Sequence, residues 1–473
     1  MNQLKILLYL VVSLLGCLHV CAQTDFSIEN ISQIGLPVVN IITVDGVEPT
    51  CDYVTHPEGS MGEGITNNNK VPCRITISKN GEILYDSGEY IKDESGATIK
   101  INGNTSAYHN NKPYKIKLEK KADLLFRNDN KYKDKEWRLM KDAVTLKTVI
   151  GLKVNELVGL PWTPAYQMCN VFLNNDYRGC YLLIESVKRN SDCRLDVDKK
   201  SGYIIERDAY WWNEEKYFCT DYFSSLQLYR WTWKYPDEDD VTEDQENYIR
   251  EYINSAEKSL ETGNYDEYID VNSFASWLLG HDILGTWDSG GSNLFMMKYD
   301  DSSTSLLKMA NMWDFDTIFK LEKGSLTRYH QNDFDFYYPL LLHSQNRAFV
   351  AAYKKKWEEI RESITQNIKD YILSFVSEQG EALQTSRLYY QKRWNKELTT
   401  VEQDVQEAFS WFDEHLPLLN SAINEYQDDS DCIEDIHTAK KNENDAFFNL
   451  QGQEVIKPSR GIYIKKGKKY ILP

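Results

Sequence analysis

Between residues 37 and 120 apolar and polar positions alternate in short β-branched runs. Pro37-Val38-Val39-Asn40-Ile41-Ile42, Cys73-Arg74-Ile75-Thr76-Ile77 and Tyr114-Lys115-Ile116-Lys117-Leu118 are each bounded by Gly, Asn or Pro. Period two puts one set of side chains on one face of a strand, so these runs predict strands. The period lengthens over 142–158, where Val149, Leu152, Leu157 and Val158 share a helical face. A hairpin is predicted from Met168 to Glu185 and a strand at Tyr203-Ile204-Ile205-Glu206. Residues 271–284 read as a helix with Phe274, Trp277, Leu278 and His281 on one side. From Gln345 to Asn424 charges oppose apolar positions such as Phe349, Trp357, Ile360 and Ile364, the pattern of successive helices. Leu416-Pro417-Leu418 is expected to interrupt the last of them. No internal repeat occurs at a fixed period. The order is sheet first, mixed centre and helical end, an α+β arrangement.

Both ends carry their own signals. Lys5, the apolar run Ile6 to Gly16 and the small residues Val20-Cys21-Ala22 have the layout of a signal peptide, residues 1–22. Leu14-Leu15-Gly16-Cys17 competes with that cut, because it resembles a lipoprotein box with Cys17 acylated. The apolar run is too short for a stable membrane span, and no later stretch would anchor the mature chain. An exported protein is therefore expected, in the periplasm, at the outer-membrane surface or secreted. Residues 428–444 are polar and charged and read as a linker. Beyond them, 445–473 reads as short strands broken by glycine turns. This tail resembles the small C-terminal β segment of exported Bacteroidetes proteins, where it serves sorting or attachment; a plain hairpin is the other reading.

Composition narrows the class of partner. The 473 residues carry 54 Lys+Arg against 72 Asp+Glu, a formal charge of −18. That balance disfavours nucleic acid, whose phosphates are bound by clustered cations, and disfavours an anionic membrane surface. Aromatic content reaches 13%, enough to fill a heavy core or to present ring faces to a ligand. Tyr210-Trp211-Trp212 and Tyr229-Arg230-Trp231-Thr232-Trp233 are the densest clusters. Nine cysteines include no CxxC pair, so a structural zinc site is not expected. Cys169 and Cys180 are equidistant from Asn174-Asn175 and would face each other if that pair is the hairpin turn. Two small neighbouring apolar residues are preferred to a disulfide.

Candidate chemistry gathers late in the chain. Asp288-Ser289-Gly290-Gly291-Ser292-Asn293 places an Asp five residues before an Asn, and Trp313-Asp314-Phe315-Asp316 follows with acids at i and i+2. Phosphoryl transfer needs such parts: a carboxylate that orients the attacking hydroxyl, and oxygen ligands that hold a divalent cation on the phosphates. The same residue types also make ordinary surface turns. No Gly-x-Ser-x-Gly, His-Glu-x-x-His, P-loop or EF-hand pattern occurs. Paired carboxylates for glycoside hydrolysis need not be close in sequence and stay open as a third reading.

Several blocks, in order, resemble the CotH family of spore-coat and secreted kinase-like proteins. Leu36-Pro37-Val38-Val39 is similar to its opening strand. Ile101-Asn102-Gly103-Asn104-Thr105-Ser106 with Lys112-Pro113-Tyr114-Lys115-Ile116-Lys117-Leu118 resembles its loop and basic strand. Trp137-Arg138-Leu139-Met140 fits the next block. Val171 to Glu185 is the most specific match, and Asn293 to Lys298 and Met312 to Asp316 resemble the later blocks. The likeness runs from about 36 to 420 and implies a two-lobed, atypical protein-kinase-like domain over 36–427. Residues 36–185 would be the small lobe and hinge, and 186–427 the large lobe. It implies Asp288 as catalytic carboxylate, with Asn293, Asp314 and Asp316 binding Mg2+ or Mn2+. Lys115 or Lys117 would meet the phosphates of ATP, with Glu156 as a partner for that lysine and Glu185 near the nucleotide. Two departures weaken the phosphate-binding end: Asn102 stands where the family has Arg, and Gly151-Leu152 where it has Arg-Asn.

Two main functions follow. One is an exported Mg-ATP-dependent kinase acting on Ser or Thr of partner proteins, the substrate being unknown. The alternative is a catalytically degenerate CotH-like surface module whose aromatics bind a protein or glycan.

Overall fold

Strand alternation in the N-terminal third closes into a barrel. The computed structural model describes residues 26–62, 65–66, 69–222, 228–288, 293–331 and 337–427, and tail strands at 447–448, 454–455, 461–465 and 468–472. The leader over 1–22 and the linker over 428–444 lie outside the described residues. A short helix α1 (Ile28–Ser32) precedes β1 (Val38–Thr43), the small pair β2 (Asp52–Tyr53) and β3 (Ile65–Thr66), then β4 (Val71–Lys79), β5 (Glu82–Asp86) and β6 (Ala97–Ile101). β7 (Tyr114–Ala122), β8 (Asp134–Met140), helix α2 (Lys147–Leu157), β9 (Tyr166–Leu173) and β10 (Asp176–Glu185) complete this part. The sheet order is β1-β9-β10-β8-β7-β6-β4-β5, and β1 also pairs with β4, which closes the ring and leaves β5 outside it. Val39, Ile41, Ile75, Ile99, Ile116 and Trp137 are among the side chains that fill the interior. On the outer wall of β9 and β10, Met168, Cys180, Leu182 and Ile184 join the larger core with the helices.

The hairpin turn is Asn174-Asn175, both in left-handed conformation at φ 52° and 65°, as a tight two-residue turn requires. A bulge between Tyr177 and Gly179 then shifts the register, pairing Cys169 with Tyr181 and Cys180 with Asn170. The two thiols consequently face opposite sides of the sheet, Cys169 inside the barrel and Cys180 in the outer core. Both are free, which agrees with the apolar reading and excludes the cross-strand disulfide.

The second half is a smaller sheet surrounded by helices. Strands β11 (Tyr203–Asp208), β12 (Tyr217–Phe218) and β13 (Arg230–Tyr235) are followed by helices α3 (Glu243–Thr262) and α4 (Val271–Leu284), then β14 (Leu294–Lys298) and β15 (Lys308–Asn311). Their order is β12-β13-β11-β14-β15. The α4 helix has the bounds its periodicity predicts but is buried all round, Ser273 to Leu284 without a break. Helices α5 (Tyr337–His343), α6 (Ala348–Ile360), α7 (Ile364–Trp394) and α8 (Val401–Asn424) end the body. The expected break at Pro417 does not occur: α8 runs through it. Trp411, Phe412, Leu416, Leu419 and Ile423 are buried on its inner face, while Asp413, whose carbonyl loses its donor, is exposed to water. Burial of that apolar stripe outweighs the roughly 3 kcal/mol a helical proline costs.

The observed architecture is α+β, with a β-rich N-terminal part and a helical C-terminal part. Tail strands β16 (Phe447–Phe448), β17 (Glu454–Val455), β18 (Gly461–Lys465) and β19 (Lys468–Leu472) form a sheet of their own, in the order β17-β16-β18-β19. No helix among the described residues is long and apolar enough to cross a membrane.

Candidate active site

The outer wall of the barrel carries a row of cations. Lys100 on β6 lies opposite Lys115 on β7, and Lys115 lies opposite Arg138 on β8. All three point away from the apolar interior because they alternate with Ile99, Ile116 and Trp137. Lys115 Nζ pairs with Glu136 at 2.9 Å. Burial would raise the Glu136 carboxyl, but Lys115 and Lys188 hold it well below the usual range. Arg138 reaches the second half of the chain, its guanidinium 5.5 Å from the Trp313 ring. That contact joins the basic wall to the Trp-Asp-Phe-Asp block.

On the other side, Asn293 and Asp314 meet directly. The Asn293 amide nitrogen donates to Asp314 Oδ2 at 3.3 Å, and both residues have left-handed backbones at φ 68° and 64°. Such conformations in non-glycine residues collect at functional sites. The Asn293 N–H donates to Glu206 Oε1 at 2.8 Å, which fixes this end of β14 to β11. Asp288 is exposed, but its segment is pinned: its N–H donates to Thr317 Oγ1 at 3.1 Å, and the Trp287 N–H donates to the Thr317 carbonyl at 3.3 Å. Asp288 is thereby tied to the residue after Asp316, which is itself exposed and accepts Lys147 Nζ on its carbonyl. Ser289 to Ser292 lie outside the described residues.

Helix α2 explains one departure from the family pattern. A Cβ at Gly151 would lie 2.0 Å from the Phe315 ring. Only a glycine lets Phe315, between the two acids of the block, seat on that helix. The expected pairing of Glu156 with a strand lysine is not found. Glu156 is 58% exposed and pairs with Lys153 at 2.9 Å, one turn away on the same helix; Glu136 is the acid that meets Lys115. Glu185 is also engaged within the protein: Arg127 donates to Oε1 at 2.9 Å and the Ala165 N–H to Oε2 at 3.0 Å. It does not line the open cleft of about 340 Å³ that is bordered by Lys117, Lys121, Asp134, Glu136, Lys188 and Arg189. Lys117 is the one of the expected phosphate lysines that lines this cleft.

The strand read from the sequence at Tyr203-Ile204-Ile205-Glu206 stopped short of Asp208, and neither of its acids was taken as a site residue. Glu206 and Asp208 alternate with Ile205 and Arg207, so both lie on one face of β11, from which Glu206 acts on Arg138 of the barrel wall. Lys234 pairs with Glu206 at 2.8 Å. Burial opposes the lysine's charge, yet Glu206, Glu214 and Asp208 raise its pKa. Asp208 is pushed up to about 7 by burial and by Glu206. A strap follows β11: the Tyr210 hydroxyl lies 3.3 Å from Thr105 Oγ1, Trp212 Nε1 donates to the Met61 carbonyl at 3.1 Å, and Asn213 Nδ2 donates to Asn104 Oδ1 at 3.4 Å. Trp211, Trp231 and Trp233 are buried. The tryptophans of the insertion are thus mostly packing, and the strap's Tyr210 and Asn213 hold the Asn102–Ser106 loop.

Residues 99–416 match the family described as CotH kinase protein. The chain belongs to that family. Among solved structures it is similar to the Shewanella oneidensis MR-1 toxin–antitoxin system HipA, HipB and its operator DNA complex. Identity is 10%, with 78% of this chain and 68% of that chain covered at a TM-score of 0.25, a likeness too slight to bear on fold or function. No curated protein matches the chain. The CotH blocks quoted from the sequence supply both sides of the site, the basic strand β7 and the Asn293–Asp314 pair. A kinase family implies a divalent cation and a nucleotide. Among the described residues no group of three His, Cys, Asp or Glu side chains is placed to hold a metal ion. The donor chemistry nonetheless fits, because Asn293 and Asp314 offer hard oxygen atoms of the kind Mg2+ prefers, beside a basic wall suited to phosphate.

Proposed function

We propose that the chain is a metal-dependent phosphotransferase that uses ATP and modifies Ser or Thr hydroxyls of partner proteins. The observation that carries this reading is the Arg138–Trp313 contact, which draws the lysine-bearing barrel wall up to Asn293 and Asp314. In this reading Asn293 and Asp314 hold the cation, with Asp316 as a further candidate oxygen ligand. Bound there, Mg2+ or Mn2+ would neutralise charge on the phosphates. Lys115 would leave Glu136 for a phosphate oxygen, and Lys117 would line the cleft entrance. Asp288, exposed next to that ground, would orient the acceptor hydroxyl and accept its proton as the oxygen attacks the terminal phosphorus, while the bond from that phosphorus to the bridging oxygen breaks and ADP leaves.

Mature protein incubated with radiolabelled ATP and Mg2+ or Mn2+ tests the proposal. Transfer in the parent, lost in both Asp288→Ala and Asp314→Ala, is the expected outcome. No label transfer together with no nucleotide binding by calorimetry would overturn it. The second reading, a degenerate surface module, draws on ion pairs that already neutralise Lys115 and Lys234; it predicts folded protein and no metal-dependent nucleotide binding. Export belongs to the proposal too, and the mature N-terminus tests it: a start at Gln23 supports cleavage after Ala22, acylation of Cys17 supports the lipoprotein route, and an intact Met1 refutes both.

A further inference from the structure

We propose that Lys100 and Arg138 form a phosphate clamp on the barrel wall, replacing the loop cation that Asn102 does not supply. The assignment rests on the kinase reading for the source of the phosphate, but its argument is electrostatic. Cross-strand register sets Lys100, Lys115 and Arg138 side by side, and like charges opposite one another in a sheet destabilise it. Lys115 is relieved by Glu136 at 2.9 Å. Among the described residues neither Lys100 nor Arg138 makes an ion pair, and the buried Nε of Arg138 has no hydrogen-bond partner. Glu206 and Glu214 act on Arg138 through space together with Glu136, yet Glu206 is held by Lys234 and by the Asn293 N–H. Glu214 acts on Lys100, against Lys115, Lys70 and Arg138. Burial, then Lys115, pulls the Lys100 ammonium down to about 8, the direction expected of a cation short of counter-charge.

Two half-buried cations that flank Lys115 from the strands on either side and are under-compensated destabilise the fold, and a bound anion would offset that. The planar guanidinium of Arg138, over Trp313, has the fork that binds two oxygens of one phosphate, and Lys100 adds a point charge beside it. The ligand class that matches is a polyphosphate chain whose other oxygens reach the Asn293–Asp314 side. Inorganic triphosphate and a nucleoside triphosphate share this chemistry.

The test is calorimetric titration of the full chain with inorganic triphosphate and with a non-hydrolysable ATP analogue. Lys100→Met, Arg138→Met and Arg138→Lys are compared with the parent. Each methionine variant should weaken binding by about tenfold or more, the worth of one charge-assisted contact, while Arg138→Lys keeps part of it. Weakening for both probes assigns the clamp to the phosphate chain in general, and weakening for the analogue alone assigns it to a nucleotide. Without ligand the Lys100→Met variant should melt no lower than the parent, since a repulsion has been removed. Unchanged affinity in both methionine variants, or no binding of either probe by the parent, overturns the clamp. The two readings separate cleanly. Label transfer with unchanged affinity in the variants leaves the kinase and removes the clamp; affinity lost in the variants without label transfer does the reverse.

Discussion

At position 151 there is no room for a methyl group, because the Phe315 ring occupies the place a Cβ would take. Replacing a helical glycine by alanine ordinarily stabilises by about 0.5–1 kcal/mol. Here Gly151→Ala should instead cost about 1–3 kcal/mol, the usual price of overpacking, read as a lower midpoint in urea. If the variant proves more stable, Phe315 does not seat on α2 as described. In the sequence Gly151 stood out as a departure from a family Arg-Asn pair, and its reason lies in a contact 164 positions away. Asp208 makes a second prediction at this scale. Its folded pKa of about 7 lies above the unfolded value of 3.8, so between those values the folded state binds more protons and stability falls as pH rises. Below pH 4 the group is protonated in both states and costs nothing. Asp208→Asn should therefore gain stability over the parent at pH 8 and little at pH 4, measured by denaturant unfolding at both values. Equal differences at the two pH values would count against a raised pKa.

Among the elements, those with a clean period were legible and those held by distant partners were not. The α4 helix and the β9–β10 hairpin could be read because periodicity, caps and the Asn174-Asn175 turn all agree locally. The long α3 helix went unread despite its Thr242–Gln245 capping box, since its polar surface hides a narrow buried stripe. Continuity of α8 through Pro417 was misread, because a proline is a strong local signal and the stripe that overrides it is tertiary. The α7–α8 pair adds a buried ion pair, Arg387 with Asp404 at 2.8 Å, and Asp404 Oδ2 also accepts the Leu146 N–H at the entry to α2. Arg387→Met should lower stability by about 3–5 kcal/mol, because it strands a carboxylate among apolar helices. The Arg387→Met, Asp404→Leu double variant should recover much of that loss in a double-mutant cycle. No recovery would show that the arginine acts by packing alone.

For the whole molecule, the consequential feature is how the two halves are held together. Arg138 meets Trp313 on one side, and the strap after β11 grips the Asn102–Ser106 loop on the other. Asn213→Ala removes the bond to Asn104 and should speed amide exchange of residues 102–108 by about tenfold, a loosening of roughly 1.4 kcal/mol. Amides of the barrel strands at Ile99 and Ile116 should stay as protected as in the parent. Uniform acceleration everywhere would mean that the strap supports global stability and does not restrain the loop in particular.

By itself the sequence determined the class of the fold, the strands that alternate, the helices with matched caps and the family blocks, because each depends on neighbours within a few positions. It also brought Asn293 and Asp314 forward as partners, and they do touch. Tertiary structure alone decided that the strands close into a barrel, that a single bulged residue turns Cys169 and Cys180 to opposite faces, and that Lys115 meets Glu136 while Glu156 meets Lys153. Those outcomes depend on register and on which outer face of the barrel meets the second sheet. Side-chain charge does not encode either one locally: Lys100, Lys115 and Arg138 become one row only when three consecutive strands pair in this register.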